Sequence, residues 1–233
     1  MGQIFDLLLL AARRSAMFPN DICSWTPVAL AEDLPPATVV PALTPGGAIA
    51  LWRSRSGALS AAADRCPHRG MRLSHGFVRG EALSCIYHGW SYGRNGACLR
   101  IPAHPDLTPP DAIRVAQQRA EERAGVIWVT ADETGDEPPV FDRYAPLRSL
   151  TFDIADEQHL AEIGHAAAAE SGALSLSLAG AAVLLLCAAA EGGQLVVHAL
   201  VDETADRAQR MAVSRALEGL RRAVEAADTR KSA

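Results

Sequence analysis

Short apolar runs broken by glycine and proline dominate the first half of the chain. Val39-Val40, Ala48-Ile49-Ala50-Leu51-Trp52, Leu59 to Ala62 and Gly125-Val126-Ile127-Trp128-Val129 are short enough to be strands. Runs of this kind bounded by turn residues read as β-strands. Gly46-Gly47, Ser56-Gly57 and Asn95-Gly96 supply turns between them. Residues 22–131 therefore predict an all-β domain. An acidic connector with Pro138-Pro139 inside it is expected over 132–146, and an Ala-rich α+β domain over 147–233.

Three segments need separate treatment. Leu174-Ser175-Leu176-Ser177-Leu178 alternates with period two, Glu191-Gly192-Gly193-Gln194 offers a turn, and Leu195 to Val201 is apolar again. This predicts two strands in a hairpin. Ala173 to Ala190 carries no charge and reaches the lower edge of a membrane-spanning length. Its serines, Gly180 and its period of two favour strand over a transmembrane helix. Between Asp206 and Ala227, Val213, Leu217, Leu220 and Val224 recur at spacings of four, three and four among charged residues. That pattern is a surface helix with one buried stripe. At the start, residues 1–21 predict a short amphipathic helix. Asp6 interrupts the apolar run and Arg13 and Arg14 follow it, the reverse of a secretory signal.

Composition narrows the function classes. With 233 residues, 49% apolar and 21% charged, the chain is not generally disordered. A net charge of -5 and no basic run argue against a nucleic-acid partner. Five cysteines, an odd number, do not suit a secreted disulfide scaffold; a reducing, cytoplasmic compartment fits better.

The chemistry is concentrated in two boxes, Cys66-Pro67-His68-Arg69-Gly70 and Cys85-Ile86-Tyr87-His88-Gly89-Trp90. Each offers one thiolate and one imidazole. A tetrahedral Cys2His2 zinc site is chemically allowed. Zinc fingers, however, usually pair Cys with Cys and His with His, whereas each box here mixes the two. In a Rieske [2Fe–2S] centre two Cys hold one iron and two His the other, so mixed boxes let both loops grip both irons. Cys23, Cys98 and Cys187 stand outside the boxes, as do His75, His104 and His198, and ordinary structural roles are expected for them.

The boxes resemble the Rieske motif, C-x-H followed by C-x-x-H. From Trp25 through Val129 the chain is similar to the N-terminal domain of Rieske non-haem iron oxygenases. The matching stretches are Arg65 to Gly70, Tyr87-His88-Gly89-Trp90-Ser91-Tyr92-Gly93, Gly96, Ile101-Pro102-Ala103 and Gly125 to Val129. The nearest branch is that of the vanillate-demethylase-like monooxygenases. The respiratory Rieske proteins carry an extra Cys in each box, which Arg69-Gly70-Met71 and Ile86-Tyr87 do not provide. The resemblance implies a [2Fe–2S] cluster on Cys66, His68, Cys85 and His88. It also implies a reductase or ferredoxin as electron donor, a small organic substrate and a homotrimer. The second half would be an abbreviated START-like α+β domain of the oxygenase type.

Family members also hold a mononuclear iron on two His and one carboxylate. Asp156-Glu157-Gln158-His159 matches their D-x-x-H pattern, with Asp156 as the electron bridge and His159 as a ligand. The next imidazole, His165, follows after five residues where the family has four. On a regular helix the two would lie about 120° apart, so a break at Gly164 is needed. The family's third ligand lies more than a hundred residues further on, and only 68 residues follow His165 here. Asp202, Glu203 and Asp206 are the candidate substitutes. Two readings stay open: an oxygenase with its own mononuclear iron, and an electron-transfer or accessory subunit without one.

Overall fold

The computed structural model describes residues 24–132 and 136–231; the expected N-terminal helix over 1–21 and Cys23 lie outside them. Ten strands form the first half. They are β1 (Thr26–Leu30), β2 (Thr38–Thr44), β3 (Gly47–Arg53), β4 (Leu59–Ala63), β5 (Phe77–Arg79), β6 (Ala82–Ser84), β7 (Ser91–Tyr92), β8 (Cys98–Arg100), β9 (Gln117–Arg123) and β10 (Val126–Thr130). Six of them make an antiparallel sheet in the order β1-β10-β9-β4-β3-β2, and β5-β6-β7-β8 make a smaller sheet. All the strands and turns predicted for this half fall inside or beside these elements.

The apolar runs are continuous because both faces of their strands are covered. On β3, Ile49 and Leu51 pack with Ile127 and Val129, whereas Ala50 and Trp52 pack with Cys66, Leu83 and Cys85 under the smaller sheet. Alternate side chains of one strand point to opposite faces, so one run feeds two cores. At Gly96, in the turn between β7 and β8, φ is +79° and a Cβ would stand 2.1 Å from the Val115 carbonyl oxygen. Only glycine fits there.

The second half is a five-stranded sheet with helices on one face. Its strands are β11 (Tyr144–Phe152), β12 (Ala167–Ala168), β13 (Leu174–Leu178), β14 (Ala181–Ala189) and β15 (Leu195–Asp202), in the order β11-β15-β14-β13-β12. The helices are α1 (Glu157–Gly164) and α2 (Arg207–Lys231). β11 begins inside the stretch expected to be connector. The expected two-stranded hairpin is three strands: Ala179-Gly180, both at positive φ, turn the chain between β13 and β14. The charge-free stretch is thus strand, turn and strand. No helix among the described residues is long and apolar enough to cross a membrane.

Here too alternation explains the composition. Val183, Leu185 and Cys187 of β14 face the helices, while Leu184 and Leu186 pack with Trp25, Leu30 and Trp128 of the first half. On α2, Val213, Leu217 and Val224 are fully buried and Leu220 partly, the stripe that the spacing predicts. Each such burial is worth roughly 1.5–3 kcal/mol. A polar tie adds to the seam between halves. Arg72 donates two hydrogen bonds to Glu191, at 2.6 and 2.5 Å, and its Nε donates to buried Asp64 at 2.8 Å.

Candidate metal centre

The two Cys/His boxes fold into near-copies of one loop. In the first, the Cys66 amide donates to the Met71 carbonyl and the Gly70 amide to the Cys66 carbonyl, both at 2.8 Å. In the second, Cys85 donates to Trp90 at 2.9 Å and Gly89 to Cys85 at 3.0 Å. The fourth residue after each cysteine is a glycine at left-handed φ, +72° for Gly70 and +71° for Gly89. A β-carbon at Gly89 would stand 3.0 Å from Pro102 Cγ. The imidazole sits two residues after Cys66 in the first loop and three after Cys85 in the second.

Folded together, the boxes segregate their donors. Cys66 and Cys85 are buried side by side in one core. Burial pushes the Cys85 thiol up from its ordinary value and the neighbouring Cys66 adds to this, while the amides of Tyr87 and His88 donate to its sulfur and oppose it. The imidazoles lie together towards the surface: His68 and His88 meet edge to face at 4.5 Å. Trp90 stacks on His68 at 4.4 Å with planes 4° apart. Burial, then the charges of His88 and Arg69, lower the His68 pKa and favour the neutral ring that ligates metal.

The donor set fits a two-iron cluster. Thiols inside and imidazoles outside are the arrangement that two irons of different ligation require. His68 Nδ1 is buried without a hydrogen-bond partner, a bare donor position beside the other three. Among the described residues, no three His, Cys, Asp or Glu side chains converge as a site for a single metal ion.

Sequence reasoning missed Tyr92 as part of this centre. Its buried hydroxyl lies 3.1 Å from Cys66 Sγ. Burial, and then Cys66, push the phenol pKa far up, so the hydroxyl keeps its proton. Its position four residues after His88 carries no signal of this by itself; the pairing of β6 with β7 turns the ring inward. Cys98 packs in the same core but bonds the Arg100 carbonyl, at 3.7 Å.

The second set of candidates is not gathered in this way. Asp156 caps α1, accepting from the Gln158 amide at 2.8 Å. His159 Nδ1 lies 3.1 Å from Asp228 Oδ1 on α2, a carboxylate that the sequence did not single out. The helix breaks at His165 itself, which takes a left-handed φ of 51° and is exposed, rather than at Gly164. Asp202 is engaged by Thr204, and Asp206 caps the start of α2 through the Gln209 amide. Asp206 and Asp228 are separated along one helix by roughly 30 Å at a rise of ~1.5 Å per residue. Asp202, Glu203 and Asp206 therefore stand at the wrong end to complete a site with His159. Of the remaining histidines, His75 and His104 are exposed and His198 is buried.

Residues 24–116 match the family described as Rieske [2Fe-2S] domain. The chain is similar to "Oxidoreductase NdmD" of Pseudomonas putida, 44% identical over 119 residues, which is 51% of this chain and 20% of that protein. It is 39% identical over 85 residues to the "3-chlorobenzoate-3,4-dioxygenase oxygenase subunit" of Comamonas testosteroni, covering 36% of this chain and 20% of that one. The matches thus span about a fifth of the length of these curated relatives. In fold, 86% of the chain superposes on 80% of the Pseudomonas putida CBB5 NdmA QL mutant with caffeine, with a TM-score of 0.65 and 20% identity. Dicamba monooxygenase bound to dicamba gives a TM-score of 0.64 at 18% identity, covering 89% of this chain and 87% of that one.

Proposed function

Starting from a Rieske [2Fe–2S] domain whose homologues include Rieske oxygenases, we propose that this protein is an oxygenase component. It would draw electrons from a reductase or ferredoxin and direct them to O2-dependent hydroxylation or demethylation of a small organic substrate. The observation that supports this most is the paired loop, with two buried thiols behind two contacting imidazoles. In this reading Cys66 and Cys85 hold the inner iron, and His68 and His88 the outer one. When bound, the cluster supplies a one-electron relay, with a potential raised by imidazole ligation.

The chain's own residues shape that relay. His88 is exposed and gives partners the shortest approach to the centre. Trp90 fixes the plane of His68, and the loop amides and the Tyr92 hydroxyl stabilise negative charge on the cysteine sulfurs. The vanillate-demethylase-like branch, a cytoplasmic location and a homotrimer belong to the same proposal. In a head-to-tail ring, a neighbour's His88 would approach Asp156.

One observation favours a second reading, an electron-transfer or accessory subunit without its own mononuclear iron. His159 Nδ1 lies 3.1 Å from Asp228 near the end of α2, whereas Asp202 and Glu203 precede that helix and Asp206 caps its start. Iron content and EPR of anaerobically purified protein, before and after Fe(II) addition, separate the two. Three irons per chain and a nitric-oxide-sensitive Fe(II) signal support the oxygenase. Two irons with a Rieske signal alone support the second reading. No Rieske signal refutes both.

A further inference from the structure

The two Cys/His loops are closed at their bases by different means. The second lies between paired strands. β6 leads in, β7 leads out, and Ser84 pairs with Ser91 across the base, their hydroxyls 2.9 Å apart. The first has a strand on one side only. β4 ends at Ala63, and the chain leaves the loop into a short 3₁₀ turn, Leu73–His75. Side chains do there what strand pairing does in the second loop. Asp64, just before Cys66, reaches across to residues beyond the loop. Its carboxylate accepts from Arg72 Nε at 2.8 Å, and from the Ser74 amide and hydroxyl, both at 2.7 Å.

This clasp is completed from the other half of the molecule. The Asp64 side chain is only 1% exposed, so its charge needs a cation, and Arg72 supplies it. Arg72 Nη1 and Nη2 in turn fork onto Glu191 at 2.6 and 2.5 Å. Glu191 stands on the connection between β14 and β15, 119 residues away in sequence. A two-point bond to a carboxylate fixes the plane of a guanidinium as well as its place. With that plane fixed, Nε is presented to Asp64 in one direction. The strands close the second loop by themselves, whereas the first depends on a residue of the second half.

We propose that Glu191 is a positioning residue for the cluster: through Arg72 and Asp64, the second half braces the loop that carries Cys66 and His68. The inference rests on the ligand reading above. It gives the seam a task beyond joining the halves, because movement of the β14–β15 connection reaches one Cys/His loop and not the other. Cluster-loaded, full-chain protein is exposed to a neutral bipyridyl chelator, and the fading of the visible absorbance is timed. Glu191→Gln keeps the shape and removes the charge. It should speed cluster loss about threefold, the scale of one half-exposed ion pair. Salt screens such a pair, so ~1 M NaCl should bring the parent protein to the rate of the variant and leave the variant's own rate unchanged. Arg72→Gln should speed loss further, and adding Glu191→Gln to it should bring no additional change, because both act along one chain of contacts. Pulsed EPR of the reduced protein resolves the two imidazole nitrogens, and Glu191→Gln should alter one coupling and leave the other. Glu218→Gln breaks an ion pair with Arg221 on α2 and is the control; rate and spectrum should not change. Equal rates for Glu191→Gln and the parent, additive effects of the Arg72 and Glu191 substitutions, unaltered EPR couplings, or the same acceleration by Glu218→Gln overturns the proposal. Absence of a Rieske signal in the parent protein refutes the ligand reading, and the inference with it.

Discussion

The protein carries two histidine motifs with opposite fates. In the first half, His68 and His88 come from loops tied by the same pair of backbone hydrogen bonds, and their rings touch. In the second half, His159 lies on a helix face against Asp228, while His165 turns out of the helix into solvent. The difference teaches that donor spacing is informative where the backbone around it is over-determined. Each Cys/His loop has a glycine at a left-handed position, two backbone bonds and a strand leading into it. The D-x-x-H match has only one cap and one helix, and so it leaves the direction of the second imidazole open.

The largest test removes a thiolate from the over-determined pair. Cys66→Ser or Cys85→Ser should eliminate the cluster, removing its two irons per chain and erasing the visible absorbance. Full cluster absorbance in either variant would contradict the ligand set.

A buried histidine of the second half provides a test of stability against pH. The folded-state pKa of His198, about 4, lies below its ordinary value of 6.5, chiefly because of burial. Between these values the unfolded state binds the proton and the native state does not. Stability is thus complete above pH ~6.5 and falls by roughly 3 kcal/mol as pH drops towards 4. Urea unfolding at a series of pH values measures the slope, and His198→Leu should flatten it.

Two glycine substitutions sharpen the contrast in backbone. Gly89→Ala forces a β-carbon into a left-handed position against Pro102 and should cost about 1–2 kcal/mol, with faster loss of the cluster. Gly164→Ala places a β-carbon at an ordinary 3.5 Å from Leu220 at the end of α1. It should be neutral or stabilise by up to ~1 kcal/mol. Equal destabilisation in thermal melts would erase the distinction between the two motifs.

The smaller effects concern side chains. Tyr92→Phe removes a donor to the Cys66 sulfur and should lower the reduction potential by on the order of 40 mV, equivalent to one hydrogen bond of ~1 kcal/mol. Protein-film voltammetry reads this directly. Asp228→Asn breaks a partly exposed pair with His159 and should change stability by less than ~1 kcal/mol. A drop in bound iron in that variant would show that the second motif holds metal after all.

Much of the architecture was legible in the residues. Runs such as Ala48 to Trp52 marked the strands because both faces of β3 are covered, and the spacing of Val213, Leu217, Leu220 and Val224 marked the buried side of α2. The turn at Ala179-Gly180 was not legible, since uncharged small residues continue on both sides of it. β5, β6, β8 and β9 escaped notice because they are short or polar, and the sheet supplies the pairing that their composition does not announce.

For the site, the chain alone determined the donor types and their grouping in two boxes, because thiolate and imidazole chemistry is written in residue identity and close spacing. Tertiary structure decided which donors face one another. Only pairing of β6 with β7 brings the Tyr92 hydroxyl to Cys66, only the packing of α1 on α2 sets Asp228 against His159, and only the sheet of the second half sets His198 Nδ1 against Ser149. These contacts join residues far apart in the chain, and their geometry comes from burying shared apolar faces rather than from any local pattern of residues.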